Sequence, residues 1–307
     1  MSASAPPPQG TPRAETLATL APVAFVLFWS TGFVGAKMGL PYAEPFTFLA
    51  LRFVLVTGLL LTVVLAFRAP WPKTWGEAGH IAAAGMLLHG TYFGGMYVAM
   101  SLGMPGGIAA LIAGLQPIIT AIGAGLFLGE RVGARQWTGL VLGLGGVVLV
   151  VWDKLAPLPD AGVSVAAAGI GTLGIAAGTL YQKRFAAHMS LRTGSTIQFA
   201  VAALMMGVAA LATETMAIQW SGEFIFAMAW LVFVLSLGTM SILLFLIRRG
   251  LAYKTASLFY LVPPVTAVMT YLMFDETLGP VALAGMAVTV LGVALVVKKA
   301  APKMAAQ

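Results

Sequence analysis

Runs of about 20 apolar residues follow one another through nearly the whole chain, separated by short stretches that hold most of its charges. That succession leaves one solvent for most of the surface, the hydrocarbon of a bilayer. It also leaves one backbone geometry, because in lipid every N–H and C=O needs a partner within its own segment. The runs fall at 17–37, 45–67, 80–101, 105–128, 135–152, 162–184, 192–213, 224–247, 251–273 and 279–298. An all-α membrane protein of ten transmembrane helices is expected. Composition agrees: 9% of residues are charged and mean hydropathy is +0.95, against about 25% charged in soluble domains.

The positive charges set the orientation. With the N-terminus on one side, that side receives 14 of the 17 Lys and Arg, and the other side receives only Lys37 and Lys154. Arg52 lies inside the second run. By the positive-inside rule both termini are expected in the cytoplasm of a multi-pass protein of the bacterial inner membrane. Residues 1–16, rich in Pro, Ala and Ser, read as a disordered cytoplasmic tail, and 299–307 as a second tail. The first run is longer than a signal-peptide core and leads into further runs, so it is expected to stay as the first helix. The net charge of +7 is spread over membrane flanks and argues against nucleic acid. With no cysteine, disulfides and thiol chemistry are excluded.

Sliding the chain against itself gives a gapless match at a shift of 146 residues, between 109–151 and 255–297, with about a third of positions identical. Pro117 falls on Pro263, Thr120 on Thr266, Glu130 on Glu276, Gly139 on Gly285 and Gly146 on Gly292. Earlier in the chain the same shift carries Gly32 onto Gly178, Lys37 onto Lys183 and Phe53 onto Phe199. Five helices per half is an odd number, so the second half would enter the membrane inverted. The expected domains are 17–152 and 162–298, two inverted five-helix repeats around a central cavity, an arrangement suited to alternating access.

With these residues in view the chain resembles the drug/metabolite transporter superfamily, in its EamA-type branch of ten-helix exporters. The resemblance rests on Trp29-Ser30-Thr31-Gly32-Phe33 with Lys37, on Pro45 with Leu51-Arg52-Phe53, on Pro117 leading to Leu128-Gly129-Glu130, and on Pro263 leading to Asp275-Glu276. Within the branch it is similar to the YddG-type exporters of aromatic amino acids. The resemblance implies a basket-shaped bundle, a substrate cavity between the halves, and export of amino acids or related metabolites.

Polar residues at bilayer depth are costly and therefore functional candidates. His89 lies mid-run, and Tyr92, Phe93, Met96 and Tyr97 come after it at helical spacings of one face. Such a face suits an aromatic or amphipathic solute; the rival reading is that these groups only bond neighbouring helices. Gln116 sits beside Pro117, and Tyr260 three residues before Pro263 and Pro264. The prolines read either as hinges lining a site or as structural kinks. Trp29 is mid-span. Lys37 could meet a substrate carboxylate at the outer mouth or snorkel to the interface. Arg52 is expected to pair with carbonyls or with Glu44, and its structural and functional readings are even. Glu130 and Glu276, at helix ends, read as caps or gate partners.

All ten acidic residues fall in tails, loops or helix ends. Proton-coupled pumps commonly need a carboxylate inside the membrane, so facilitated uniport is expected, with proton antiport through His89 as the alternative. A nucleotide-sugar or lipid-type carrier of the same superfamily is the other rival. The scarcity of embedded cations speaks against phosphates and for a small zwitterion. His80 and His89, nine residues apart on one run, His188 between runs and the lack of cysteine offer neither nucleophile–base pair nor metal cluster, so no enzyme and no cofactor are expected. The expected partners are a small-molecule substrate and the bilayer, with a monomer sufficient.

Overall fold

The computed structural model describes residues 12–128, 134–155, 160–239, 242, 259–277 and 279–297. Among these, the regular elements are all helical, and an isolated antiparallel bridge joins Ala43 to Ile218. Helix α1 is Pro12–Gly39 and α2 is Pro45–Ala66, the latter opening on a proline at a position whose N–H has no intrahelical partner anyway. Helix α3, Trp75–Gly85, begins at a variant of the capping box: the Thr74 hydroxyl accepts from Glu77 N, and the Glu77 carboxylate accepts from Lys73 N, one residue before the cap. A π-type turn, Met86–Thr91, joins it to α4, Tyr92–Ser101.

Then come α5, Gly106–Ala113, and α6, Gln116–Leu128, broken from each other at Gly114 and Leu115; α7, Ala134–Leu155; α8, Ala161–Phe185; and α9, Leu191–Thr213. Helix α10, Gly222–Ala229, runs into a second π-type stretch, Trp230–Thr239. A 3-10 turn at Phe259–Leu261 opens α11, Val262–Phe274, and α12 is Pro280–Val297.

Among the described residues, six stretches are long and apolar enough to cross a membrane: Leu20–Tyr42, Pro45–Ala66, Gly106–Phe127, Ala161–Phe185, Leu191–Thr213 and Gly222–Thr239. Shorter apolar helices lie at Trp137–Leu149, Val262–Phe274 and Pro280–Leu295. The run expected at 80–101 is helical but is divided by its π turn and is not among the six. The runs expected at 224–247 and 251–273 are described as far as Thr239 and Ile242, and from Phe259. Outward-facing apolar side chains such as Leu126, Leu211 and Leu272, 77%, 74% and 73% exposed, form the surface a bilayer requires.

The main helix pairs are α2 with α9, α7 with α12, and α4 with α8. Helix α1 lies against α10, the second π stretch and α11. The α7–α12 contact is very close. A Cβ on Gly146 would fall 2.4 Å from the Gly285 carbonyl oxygen, and one on Gly292 would fall 2.7 Å from the Gly139 carbonyl oxygen. Residues 146 apart thus make matching contacts across this seam. In the α2–α9 pair, Phe53 meets Phe199, also 146 apart, with ring centroids 5.6 Å apart.

Candidate substrate site

Helix breaks inside the membrane leave backbone groups free to meet a solute, and two breaks here face one another. The break at Gly114–Leu115 and the 3-10 turn at Phe259–Leu261 occupy corresponding places under the 146-residue shift. Between them lies a cavity of about 30 Å³, walled by Ala113, Gly114, Gln116 and Pro117 on one side and Phe259 and Val262 on the other. Trp29 and Phe33 of α1, Tyr92 of α4 and Ile175 of α8 close it. Three pairs of wall residues, Trp29 with Ile175, Ala113 with Phe259, and Gln116 with Val262, are each 146 apart. Trp29 is fixed edge-on against Phe259, centroids 4.8 Å apart. A cavity of this size has room for a water or two, well below the roughly 300–1,000 Å³ of ligand pockets. Among the described residues, the space between the two breaks is closed to a substrate.

Behind the Tyr92 wall sits a second cluster. Arg52, 1% exposed, donates from one terminal nitrogen to the Tyr97 hydroxyl (3.2 Å) and from the other to Ser236 Oγ (3.1 Å). Its guanidinium carbon lies 4.8 Å from the centre of the Phe93 ring and 5.8 Å from that of Phe53. His89 stacks on Phe199 (4.2 Å) and lies over Phe93 (6.2 Å). The Tyr92 and Phe93 rings are 4.8 Å apart, joining cluster to cavity. Two of the buried side-chain atoms without a hydrogen-bond partner among the described residues are here, Arg52 Nε and His89 Nδ1.

The π turns build this cluster. A π turn shifts the bonding from four residues to five and rotates the next part of the helix about its axis. Ser236, in the second, donates to the Leu231 carbonyl five residues back (3.0 Å) while accepting from Arg52. Thr91 does the same toward Met86 in the first, the turn that carries His89 (3.1 Å). The two π segments overlap under the 146-residue shift. Sequence reasoning misses Ser236, because a lone serine in an apolar run has no pattern that marks it.

The remaining expected positions divide between the cavity and its surroundings. Met96 is buried in the helix core and does not wall the cavity. Gln116 walls the cavity and its amide donates to Thr120 Oγ1 (3.3 Å). Tyr260 has its backbone in the 3-10 turn beside the cavity. Pro117 and Pro263 sit in the first turns of α6 and α11, with Pro264 next in line, so they start helices after a break rather than kink an unbroken one.

Lys37 lies away from the cavity: its ammonium pairs with Glu276 and lies over Phe274, 5.0 Å from the ring centre. The other oxygen of Glu276 accepts from Gly106 N, the start of α5 (3.2 Å). Glu130 is outside the described residues. The expected Arg52–Glu44 pair does not form. Glu44 accepts instead from Thr215 N (2.7 Å) and the Thr215 hydroxyl (2.6 Å), and no ion pair to Arg52 occurs among the described residues.

Residues 16–152 match the model of the EamA-like transporter family. Along nearly its whole length the chain is similar to the "Uncharacterized transporter YvbV" of Bacillus subtilis, 28% identical over 96% of this chain and 95% of that protein. It is 27% identical to the "Probable amino-acid metabolite efflux pump" of Escherichia coli K12, over 82% of this chain and 85% of the pump. To the "Uncharacterized inner membrane transporter YedA" of the same strain it is 24% identical, over 89% and 88%. A crystal structure of a protein 20% identical superposes with a TM-score of 0.63 over 92% of this chain and 97% of its own, a likeness of fold alone. Residues 16–152 thus carry the EamA-like transporter family pattern, and along most of its length the chain, with its apolar spans, is similar to proteins named as membrane transporters.

Proposed function

We propose that the chain exports small amphipathic metabolites of the amino-acid type, aromatic or otherwise neutral, from the cytoplasm by alternating access. In this reading ten spans form two inverted halves, 17–152 and 162–298, with both termini cytoplasmic. The observation that carries it is the cavity between two facing helix breaks, walled by residue pairs 146 apart. The matched contacts of Gly146 with Gly285 and of Gly292 with Gly139 support the same symmetry. So does the efflux-pump relative, which adds amino-acid metabolites as a substrate class.

The substrate residues in this reading are Trp29, Tyr92 and Gln116 in the cavity, with Tyr260 beside it, and Arg52, His89, Phe93 and Tyr97 behind it. Aromatic faces supply area and stacking, and the few polar atoms fix orientation. Pro117, Pro263 and Pro264, where helices restart, are the hinges. Lys37 with Glu276 is a gate at the outer end.

Transport is facilitated rather than proton-driven, because no carboxylate stands mid-span to exchange its proton for substrate, Glu223 lying in the first turn of its helix. The test is export of labelled amino acids and their metabolites from proteoliposomes at equal pH on both sides. We expect flux above that of empty liposomes; flux that needs a pH gradient overturns uniport, and none for any member of the class overturns the substrate reading.

A further inference from the structure

Among the described residues, Arg52 is a cation without a counter-charge. It stands seven residues into α2, about 10 Å along the helix axis from its start. Its two partners among the described residues, Tyr97 and Ser236, are neutral hydroxyls. A guanidinium has five N–H donors and no acceptor, and here Nε has no hydrogen-bond partner among the described residues. The Tyr97 oxygen accepts from Arg52, which leaves its own proton to be donated. Nearby, across the Phe53 and Phe93 rings, His89 keeps Nδ1 unpartnered in a buried position. Donors and unmet polar atoms therefore share one buried cluster that has no acceptor of opposite charge among the described residues.

The sequence shows how far this imbalance extends. The nearest carboxylate along the chain, Glu44, is held by Thr215. Glu214 is held by Phe46 N, Thr47 N and the Thr47 hydroxyl, and Glu223 by Tyr42. Glu276 is paired with Lys37. Of the ten acidic residues in the chain, none stands mid-span; Glu223 is in the first turn of the Gly222–Thr239 stretch. A buried charge left unpaired costs several kcal/mol, and a bidentate guanidinium–carboxylate contact is the strongest common way to meet it.

We propose that Arg52, with Tyr97 and Ser236, is a carboxylate-binding subsite, and that the transported species is an amphipathic monocarboxylate anion in preference to a zwitterionic amino acid. This rests on the exporter reading and revises its expected zwitterion. The carboxylate takes Arg52 Nε and the Tyr97 hydroxyl as donors, while the apolar part lies on the aromatic side chains that separate Arg52 from the cavity. A free ammonium on the same molecule would sit beside an uncompensated cation with no carboxylate to receive it. An acid whose amine is acylated or absent meets no such conflict. Because one net negative charge then crosses per molecule, export follows the membrane potential, and a cytoplasm at negative potential drives it outward.

Three compounds with one side chain separate charge from shape: phenylalanine, N-acetylphenylalanine and phenylalaninamide, neutral, negative and positive overall. Each is tracked in proteoliposomes at equal pH, with empty liposomes as baseline and a potassium–valinomycin potential imposed in either direction. We expect the anion to move about tenfold faster than phenylalanine or more, matching a charge-assisted hydrogen bond gained, and its flux to change with the imposed potential. Arg52→Gln should abolish that preference and Arg52→Lys should keep part of it.

Equal or faster movement of phenylalanine overturns the inference and leaves the exporter reading standing. If none of the three moves, nor any other amino-acid metabolite, the exporter reading itself fails and the inference with it. Should Arg52→Gln not fold, the charge series and the voltage response of the unaltered protein decide the matter alone.

Discussion

Gly146 sets the distance between two helices by what it lacks. A Cβ there would lie 2.4 Å from the Gly285 carbonyl oxygen and 2.7 Å from Thr289 N. Both are backbone atoms, which cannot swing aside as a side-chain tip can. Gly145, next to it, has no atom within 4 Å of the same position and faces outward. Overpacking a closed seam costs about 1–3 kcal/mol. Gly146→Val and Gly292→Val should each lower the melting temperature of the detergent-solubilised protein, and Gly145→Val should leave it unchanged. A loss of equal size at Gly145 would mean that helix propensity, not packing, decides.

The start of α2 and the end of α9 are clasped by two carboxylates acting in opposite directions. Glu214 accepts from Phe46 N (2.8 Å) and Thr47 N (2.7 Å), while Glu44 accepts from Thr215 N and its hydroxyl. The Thr215 hydroxyl bond holds the Glu44 carboxyl below the ordinary value of 4.5, against a smaller opposing effect of burial. A carboxyl whose value is lower in the folded protein stabilises it above the ordinary range, and that contribution is lost as pH falls through the depressed value. Glu44→Gln should therefore melt at a lower temperature than the unaltered protein at pH 7, with the two curves converging at acid pH. A constant gap across the range would assign the effect to shape rather than charge.

At the scale of the whole molecule, one end is tied shut. Lys37 meets Glu276, Tyr42 meets Glu223, Ala43 bridges Ile218, and the α2–α9 clasp lies alongside. Each tie joins a residue before 50 to one after 210, so release would part the N-terminal helices from the C-terminal ones there. The chain has no cysteine, so paired cysteines can be introduced without background. Lys37→Cys with Glu276→Cys, joined by a short bifunctional thiol reagent, should stop transport, and a cleavable reagent should restore it on reduction. Full transport by the joined protein would show that this end does not open.

Hydrophobicity read along the chain locates the apolar helices, because entry into lipid is a property of each segment by itself. Prolines and the Thr74–Glu77 box mark helix starts for the same local reason, and the 146-residue shift picks out residues that make matching contacts. Arg52 is legible as a problem, a buried cation, but not in its solution. Its partners stand 45 and 184 residues away, on Tyr97 and Ser236.

Which polar atoms meet depends on how each helix is rotated about its axis. In runs that are apolar on every side no periodicity reports that rotation. The π turns shift it further for His89 and Ser236 without any mark in the local sequence. The sequence by itself decided that the chain enters the membrane and that it repeats. Only the tertiary packing decided that Arg52 would meet Tyr97 and Ser236, because that depends on every neighbour at once.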